Sequence, residues 1–299
     1  MGCAAGGRFV RRHTAAAPAG AEGAAAVAGP FSAGRGGLPA VPPACSRIRP
    51  GRRRAPGPAG SGLGRPSMDL LLLGGSVGAF RLLNTVLERL VPPPPPSPAQ
   101  PDLWKWRNIW TSLAHSLLSG FWALLGFYYY PPMGEDLIDQ FSPSAHRLLG
   151  LSLGYFVQDF LDMMCNQKLR ECWELLFHHS VVIVCFGFAF LIHRFVGFAM
   201  VALLVEINSV FLHLRTILLM AGLAHTTSFR LTSLVNLGTY LVFRIMILAW
   251  MTRWLVLNRE NVPTAPYAMG AVGMVVMLSI NIILFCRLLR SDFLPSHKK

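Results

Sequence analysis

Charged side chains are scarce in this chain. They make up 14% of its 299 residues, whereas hydrophobic residues make up 53% and the mean hydropathy is +0.46. A soluble globular domain carries about 25% charged residues, so this composition excludes an ordinary soluble protein. Apolar stretches long enough to cross a bilayer recur along the sequence. We therefore expect a polytopic membrane protein.

Cysteine is sparse as well. The six cysteines include no CxxC pair, and the chain contains no N-x-Ser/Thr sequon. Without clustered cysteines, neither a disulfide-rich scaffold nor a recognised zinc module is indicated. Cys165, Cys172 and Cys286 fall at predicted cytoplasmic helix ends, where thiols stay reduced.

Acidic residues are few: 14 stand against 27 lysines and arginines, which gives a net charge of +13. Most of the excess lies in residues 1–67, which hold ten arginines and one acid, Glu22. This Ala, Gly, Pro and Arg segment cannot bury a core, so we expect a disordered leader outside the functional protein, with Met68 as the working start. No nucleic-acid motif accompanies the charge, so no nucleic-acid partner is expected.

Seven apolar stretches are each about the length that a membrane-spanning helix needs. Seven helices is the simplest count, and six is the alternative because the first and third stretches are the least apolar. The predicted fold is an all-α, polytopic membrane helical bundle. The stretches lie near residues 70–90, 110–130, 147–164, 174–193, 196–220, 232–257 and 266–286.

Prolines divide the membrane portion. Pro92 to Pro96, with Pro98 and Pro101, predict an extended linker over residues 92–103. This linker separates a first transmembrane helix at 68–91 from a compact unit at 104–293, which is followed by a cytoplasmic tail at 294–299. The first helix is therefore expected to be an appendage.

Basic residues at the helix ends predict the orientation. Eleven fall on one side and four on the other, so the first side is cytoplasmic by the positive-inside rule. The N-terminus from Met68 and the loop 131–145 then lie outside, and the loop 165–173 and the C-terminus lie in the cytoplasm. The eleven are Arg89, Lys105, Arg107, Lys168, Arg170, Arg215, Arg230, Arg287, Arg290, Lys298 and Lys299; the four are Arg147, Arg194, Arg253 and Arg259.

An adjacent pair, His178-His179, lies inside the apolar stretch WELLFHHSVVIVCFGFAFLIH. Ionisable groups inside a membrane are costly and mark functional sites by default. With Asp159 on the preceding helix, this pair forms the catalytic candidates. Neighbouring helices supply a further polar cluster, in the cytoplasmic half or near the midplane: His115, Asp162, Glu206, Asn208, His213 and Arg244.

Helical spacing favours an inward-facing cluster. Asp159 and Asp162 are i,i+3 and share a face, and His115 lies about 8 Å into a helix that starts near residue 110. Arg244 is expected to neutralise one buried carboxylate, since an unpaired buried charge is expensive. The competing interpretation is that these polar groups only hydrogen-bond between helices and fix their packing.

A metal site would need a recognisable ligand spacing. Cys172, His178 and His179 lack one, so we expect no metal site.

Around these residues the sequence resembles the TLC domain (TRAM, Lag and CLN homology) of multispanning lipid-handling membrane proteins, and in particular the small TLC domain-containing members. The resemblance covers about residues 104–293. The segments that carry it, in order, are WKWRNIWTSLAHSLLSGFWALLG, GYFVQDFLDMM, WELLFHHSVV, VGFAMVALLVEINSVFLHLR and CRLLRSDF.

The resemblance implies two alternative functions. The ceramide synthase branch uses a histidine pair, which His178 and His179 match, for acyl transfer from acyl-CoA to a sphingoid amine. Its downstream His-Asp-x-x-Asp run is replaced here by residues 205–209, VEINS, so ceramide synthesis is not expected. The small members instead imply a regulator of membrane phospholipid composition and fluidity that limits polyunsaturated acyl chains. A lipid-accommodating cavity opening toward the cytoplasmic leaflet is then expected.

Three functions therefore stay open after the sequence. The first is this lipid regulator, which is not an enzyme and needs no cofactor. The second is an acyltransferase with acyl-CoA as co-substrate, in which His178 or His179 is a general base oriented by Asp159. The third is a structural or channel-modulating partner of another membrane protein.

The expected partners are membrane lipids, phospholipids above all. The resemblance implies the plasma membrane, with the endoplasmic reticulum as the alternative. Lys298 and Lys299 occupy the last two positions, where they form no dilysine retrieval signal.

Overall fold

The computed structural model describes residues 66–91 and 103–292, and this part of the chain is built from helices joined by short turns. Nearly all of the predicted leader, most of the linker and the whole tail lie outside the described residues, so the statements about them stay predictions. The helices are α1 (Pro66–Leu90), α2 (Leu103–Tyr129), α3 (Pro132–Glu135), α4 (Pro143–Asn166), α5 (Leu169–Ile192), α6 (Val196–Leu203), α7 (Glu206–Met220), α8 (Thr227–Tyr240), α9 (Ile247–Leu257) and α10 (Thr264–Asp292).

The all-α polytopic fold is confirmed. Six helical spans among the described residues are long and apolar enough to cross a membrane, counting 196–220 and 227–257 as one span each. The 27-residue α2 is equally long, but polar side chains that it buries lower its hydropathy. Its sequence is thus explained by enclosure among other helices, and the bundle has six clearly apolar spans and a central seventh helix.

The expectation that α1 is an appendage is wrong, because α1 packs along α4. Gly154 of α4 lies so close to α1 that a Cβ added there would sit 3.0 Å from the backbone nitrogen of Val77. The Ser76 hydroxyl donates a hydrogen bond to the Leu151 carbonyl at 2.7 Å. Small residues that let backbones approach closely are a regular device of membrane helix packing. The prolines before α2 therefore do not separate the first helix from the bundle.

Two predicted helices begin earlier than their apolar stretches. The α2 helix starts at Leu103 and α5 at Leu169, because the basic and aromatic residues that precede each stretch continue the helix. Counting 1.5 Å per residue, His115 lies roughly 18 Å along α2 and His178 roughly 14 Å along α5. These side chains therefore lie near the middle of their helices and not in the cytoplasmic half.

Two helices are irregular at the same depth. Between α6 and α7 the chain tightens, and the amide of Val205 donates to the Ala202 carbonyl at 3.2 Å. Between α8 and α9 the π-helical turn Leu241–Met246 widens the helix around Arg244. Such turns are rare and recur at functional sites, since they re-aim side chains. Both irregularities direct attention to the bundle's centre.

Candidate functional site

The histidine pair and Asp159 come together as predicted, but with unequal roles. His179 Nε2 lies 2.9 Å from Asp159 Oδ2, and both side chains are buried. His178 makes no hydrogen bond among the described residues and lies on the wall of an apolar cavity. Neighbouring residues on a helix point about 100° apart, so the pair faces two different environments.

Both ring nitrogens of His179 are engaged. Nδ1 lies 2.8 Å from the Leu175 carbonyl oxygen, which only accepts, so Nδ1 carries a proton. The contact between Nε2 and the carboxylate needs one further proton, held by either partner. His179 and Asp159 therefore form an electrically neutral unit that fixes α5 against α4.

His115 lies beside this unit and is completely buried. Its ring stacks on Tyr155 with a centroid distance of 3.9 Å, and it interacts electrostatically with Asp159 and His179. Neither of its nitrogens has a hydrogen-bond partner, nor does Asp159 Oδ1. Buried polar atoms without partners are uncommon and are accounted for most often by function.

Glu206 begins α7 directly after the break in the helix. Its Oε2 accepts a hydrogen bond from the Ser116 hydroxyl at 2.6 Å, which joins α7 to α2. On the other side, Gly120 lets α2 approach so closely that a Cβ there would lie 3.1 Å from the Ile207 nitrogen. The break and the small residues of α2 together hold Glu206 next to the cavity.

Arg244 does not neutralise a carboxylate, contrary to expectation. Its guanidinium donates to Asn281 Oδ1 at 2.9 Å and to the Ser209 hydroxyl at 2.8 Å, and it forms no ion pair within the described residues. Tyr240 lies below it, with the ring centroid 5.4 Å from the guanidinium carbon. The positive charge is thus held by neutral groups, with Nε unpartnered.

Behind these residues lies an elongated apolar cavity. His178, Glu206 and Arg244 line one end of it, and we call these three the polar end. Aliphatic and aromatic side chains of α5, α6, α9 and α10 line the rest, including Phe186, Phe198, Leu248, Met251, Trp254 and Met274.

The cavity does not extend in the expected direction. From the polar end it runs toward the last turns of α5 and α9 and the first turns of α10. Under the predicted topology this is the outer half of the membrane. The expectation of a cavity facing the cytoplasmic leaflet followed from late helix starts, which placed the histidines too near one end.

Two members of the predicted cluster lie elsewhere. Asp162 accepts hydrogen bonds from Trp104 Nε1 at 2.7 Å and from Arg107 at 3.4 Å, at the end of α4. Asn208 donates to the Asn236 carbonyl at 3.0 Å and joins α7 to α8, as the packing interpretation requires. His213 stays with the cluster through electrostatic interactions with Glu206 and Arg244, among others.

Several site residues were not predicted. Ser116, Tyr155 and Asn281 contact the cluster, and sequence offered a signal for two of them. Serines recur on α2 at 112, 116 and 119, a spacing that gives one polar face, and Asn281 is the lone amide in the apolar run of α10. Tyr155 carried no such signal.

A second group of ionisable residues is formed by Asp69, His146 and His193, whose ligand atoms all lie within 4.8 Å of one another. In the part of the chain that the structure describes it is the one group placed to hold a metal ion. Cys172, considered from the sequence, instead donates to the Lys168 carbonyl.

A bundle of apolar helices that encloses a polar centre and an apolar cavity defines a multi-pass membrane protein. Residues 105–290 match the TLC domain, and the chain belongs to the TLC domain family. It is 55% identical over 230 residues to TLC domain-containing protein 2 of Danio rerio, covering 77% of this chain and 92% of that protein.

Two further relatives show how far the similarity extends. Identity is 44% to TLC domain-containing protein 2 of Homo sapiens, over 76% of this chain and 85% of the relative. It is 35% to TLC domain-containing protein 1 of Gallus gallus, over 76% and 90%. The resemblance seen in the sequence is confirmed.

Proposed function

We propose that this protein regulates the phospholipid composition and fluidity of its membrane by binding a lipid acyl chain in the cavity. The class of lipid, with a limit on polyunsaturated chains, follows from the resemblance to the small TLC domain-containing proteins. The proposed location is the plasma membrane, with the C-terminus in the cytoplasm. The observation that carries the proposal is an apolar cavity ending at His178, Glu206 and Arg244.

The length of the cavity supports an acyl chain as its occupant. Along α9 the lining runs from Arg244 to Leu255 and along α10 from Pro266 to Met277, eleven residues in each case. At 1.5 Å per residue this is roughly 16 Å, about half of a 30 Å hydrocarbon core. An extended chain from one leaflet has a comparable length.

The polar end supports a headgroup or carboxyl next to that chain. Arg244 carries a permanent charge but is bonded only to neutral oxygens. A guanidinium in a low-dielectric site attracts phosphate or carboxylate strongly, because water does not screen it there. Glu206 and His178 supply a complementary acceptor and a hydrogen-bonding group beside it.

Lipid profiles of cells test the proposal. Cells that lack the protein are supplied with the wild type, His178→Ala or Val275→Phe, the last being a control on the lipid-facing side of α10. We expect the wild type and the control to lower the share of polyunsaturated phospholipids and His178→Ala not to do so, at equal expression. Unchanged profiles in all cells would reject lipid regulation and favour the role as a structural or channel-modulating partner.

A second candidate function, acyl transfer, is favoured by the different environments of the two histidines. His178 faces the cavity with its ring unbonded, as a general base must, while Asp159 holds His179 and not His178. In such a reaction an amine or hydroxyl attacks the thioester carbonyl of acyl-CoA, His178 takes the proton, and the coenzyme A thiolate leaves and is then protonated.

This candidate has its own test. Purified protein in lipid nanodiscs is incubated with labelled acyl-CoA and lipid acceptors. Label transferred by the wild type but not by His178→Gln would establish acyl transfer. Absence of transfer with both, while the cellular lipid profile still depends on His178, leaves the non-enzymatic regulator.

A further inference from the structure

A second polar site lies at the opposite end of α1 from the linker. Asp69 of α1, His146 of α4 and His193 just after α5 meet there, although they are far apart in sequence. One carboxylate oxygen lies 3.2 Å from His146 Nε2, and the other lies 3.2 Å from His193 Nε2. Three helices thus each direct one ligand atom to a common point.

We propose that Asp69, His146 and His193 bind a divalent transition-metal ion of the zinc class. Zinc accepts imidazole nitrogen and carboxylate oxygen at about 2.0–2.2 Å, so ligand atoms around a tetrahedral ion lie about 3.4 Å apart. The observed separations of 3.2 Å need only small side-chain adjustments to reach that geometry. Two nitrogens and one oxygen also suit Zn²⁺ better than Ca²⁺ or Mg²⁺, which prefer oxygen alone.

The imidazole rings are held in place by packing. His146 stacks on Phe190 with a centroid distance of 4.4 Å and an interplanar angle of 5°. It also stacks on His193 at 4.5 Å, which brings two imidazoles face to face. Two protonated rings at this distance would repel, whereas two neutral rings bound to one cation would not. Preoriented neutral imidazoles are what metal binding requires.

The backbone around His193 provides an independent observation. His193 has φ 54° and Phe195 has φ 61°, both in the left-handed region that side chains other than glycine rarely adopt. The turn between α5 and α6 is therefore strained, and it holds the His193 ring over Asp69. Strain of this kind persists where surrounding contacts enforce it and is concentrated at functional sites.

Access and coordination number complete the case. The side chains of Asp69 and His193 are 15% and 18% exposed, so an ion can enter from the end of the bundle. Three protein ligands leave a fourth position for water or for an anionic group. The ion would cross-link α1, which precedes the TLC domain match, to α4 and the end of α5. The inference does not depend on the proposed function.

Metal content tests the site in the full-length protein, purified with an affinity tag that contains no histidine. After chelator treatment the protein is dialysed against micromolar zinc and its metal is measured by mass spectrometry. We expect about one zinc per chain in the wild type and a loss of at least tenfold in affinity in Asp69→Asn and His146→Gln. His225→Ala, which removes an exposed histidine elsewhere, and His178→Ala should retain the ion.

Cobalt titration of the wild type keeps the test decisive where variants fold poorly. Bound Co²⁺ should show visible absorption of tetrahedral intensity that one equivalent of zinc abolishes. No saturable cobalt or zinc binding by the wild type would overturn the proposal, and so would zinc retained equally by both site variants.

Discussion

The Asp159 carboxylate of α4 contacts the His179 imidazole of α5 at 2.9 Å, and the neighbouring His178 is left free to face the cavity. The adjacent histidines are thus divided between a packing role and a lipid-contacting role. This division makes the two substitutions distinguishable by experiment.

The His179 and Asp159 pair should be sensitive to the shape and chemistry of its replacement. Removing one partner of a buried pair costs about 3–5 kcal/mol, so Asp159→Ala should be strongly destabilising. Asp159→Asn should cost clearly less, because its amide can donate to a neutral Nε2. Thermal unfolding in detergent micelles measures both, and equal losses would show that the pair does not share a proton.

His178 should behave in the opposite way. His178→Ala removes no hydrogen bond within the described residues, so we expect unfolding free energy within about 1 kcal/mol of the wild type. Its effect should appear in the cellular lipid profile. A stability loss as large as that of His179→Ala, measured in the same micelles, would place His178 in the packing.

The contact between α1 and α4 should tolerate no added methyl group. Gly154→Ala forces atoms against the α1 backbone and should cost about 1–3 kcal/mol. Gly238→Ala is the matched control, because a Cβ there meets nothing within 4 Å in a regular helix. That change should stabilise by about 0.5–1 kcal/mol. If the two changes had the same sign in thermal unfolding, the α1 contact would be wrong.

The topology predicts which thiols a membrane-impermeant maleimide reaches. In a version without other cysteines, Glu135→Cys should be labelled on intact cells, because the loop 131–145 lies outside. Cys165, at the other end of α4, should be labelled only after permeabilisation. Labelling of both from the same side would contradict the passage of α4 through the membrane.

The sequence predicted the helices and the central pairing of His179 with Asp159, because apolar length and misplaced charges are local signals. It did not predict the contact of Asp69 with His146 and His193, which depends on the register of α1 against α4. The direction of the cavity was missed for a related reason. Helix ends among tryptophans and basic residues extend beyond the apolar stretch, and a shift of about seven residues in α2 moves a side chain by roughly 10 Å.

Partners, location and any cofactor for the central site stay predictions, as does the leader before Met68. The cavity itself is open to direct measurement. Its walls come from four helices, and Ala202 lies among them with room in front of its side chain. A larger residue there should displace an acyl chain.

Lipid bound to the purified protein tests this account most directly. Wild type, Ala202→Phe and the lipid-facing control Val275→Phe are extracted in mild detergent and analysed by native mass spectrometry. We expect one phospholipid or fatty acid per chain on the wild type and the control, and at least tenfold less on Ala202→Phe at equal thermal stability. Equal lipid on all three proteins, or none on the wild type, would contradict an acyl chain in the cavity.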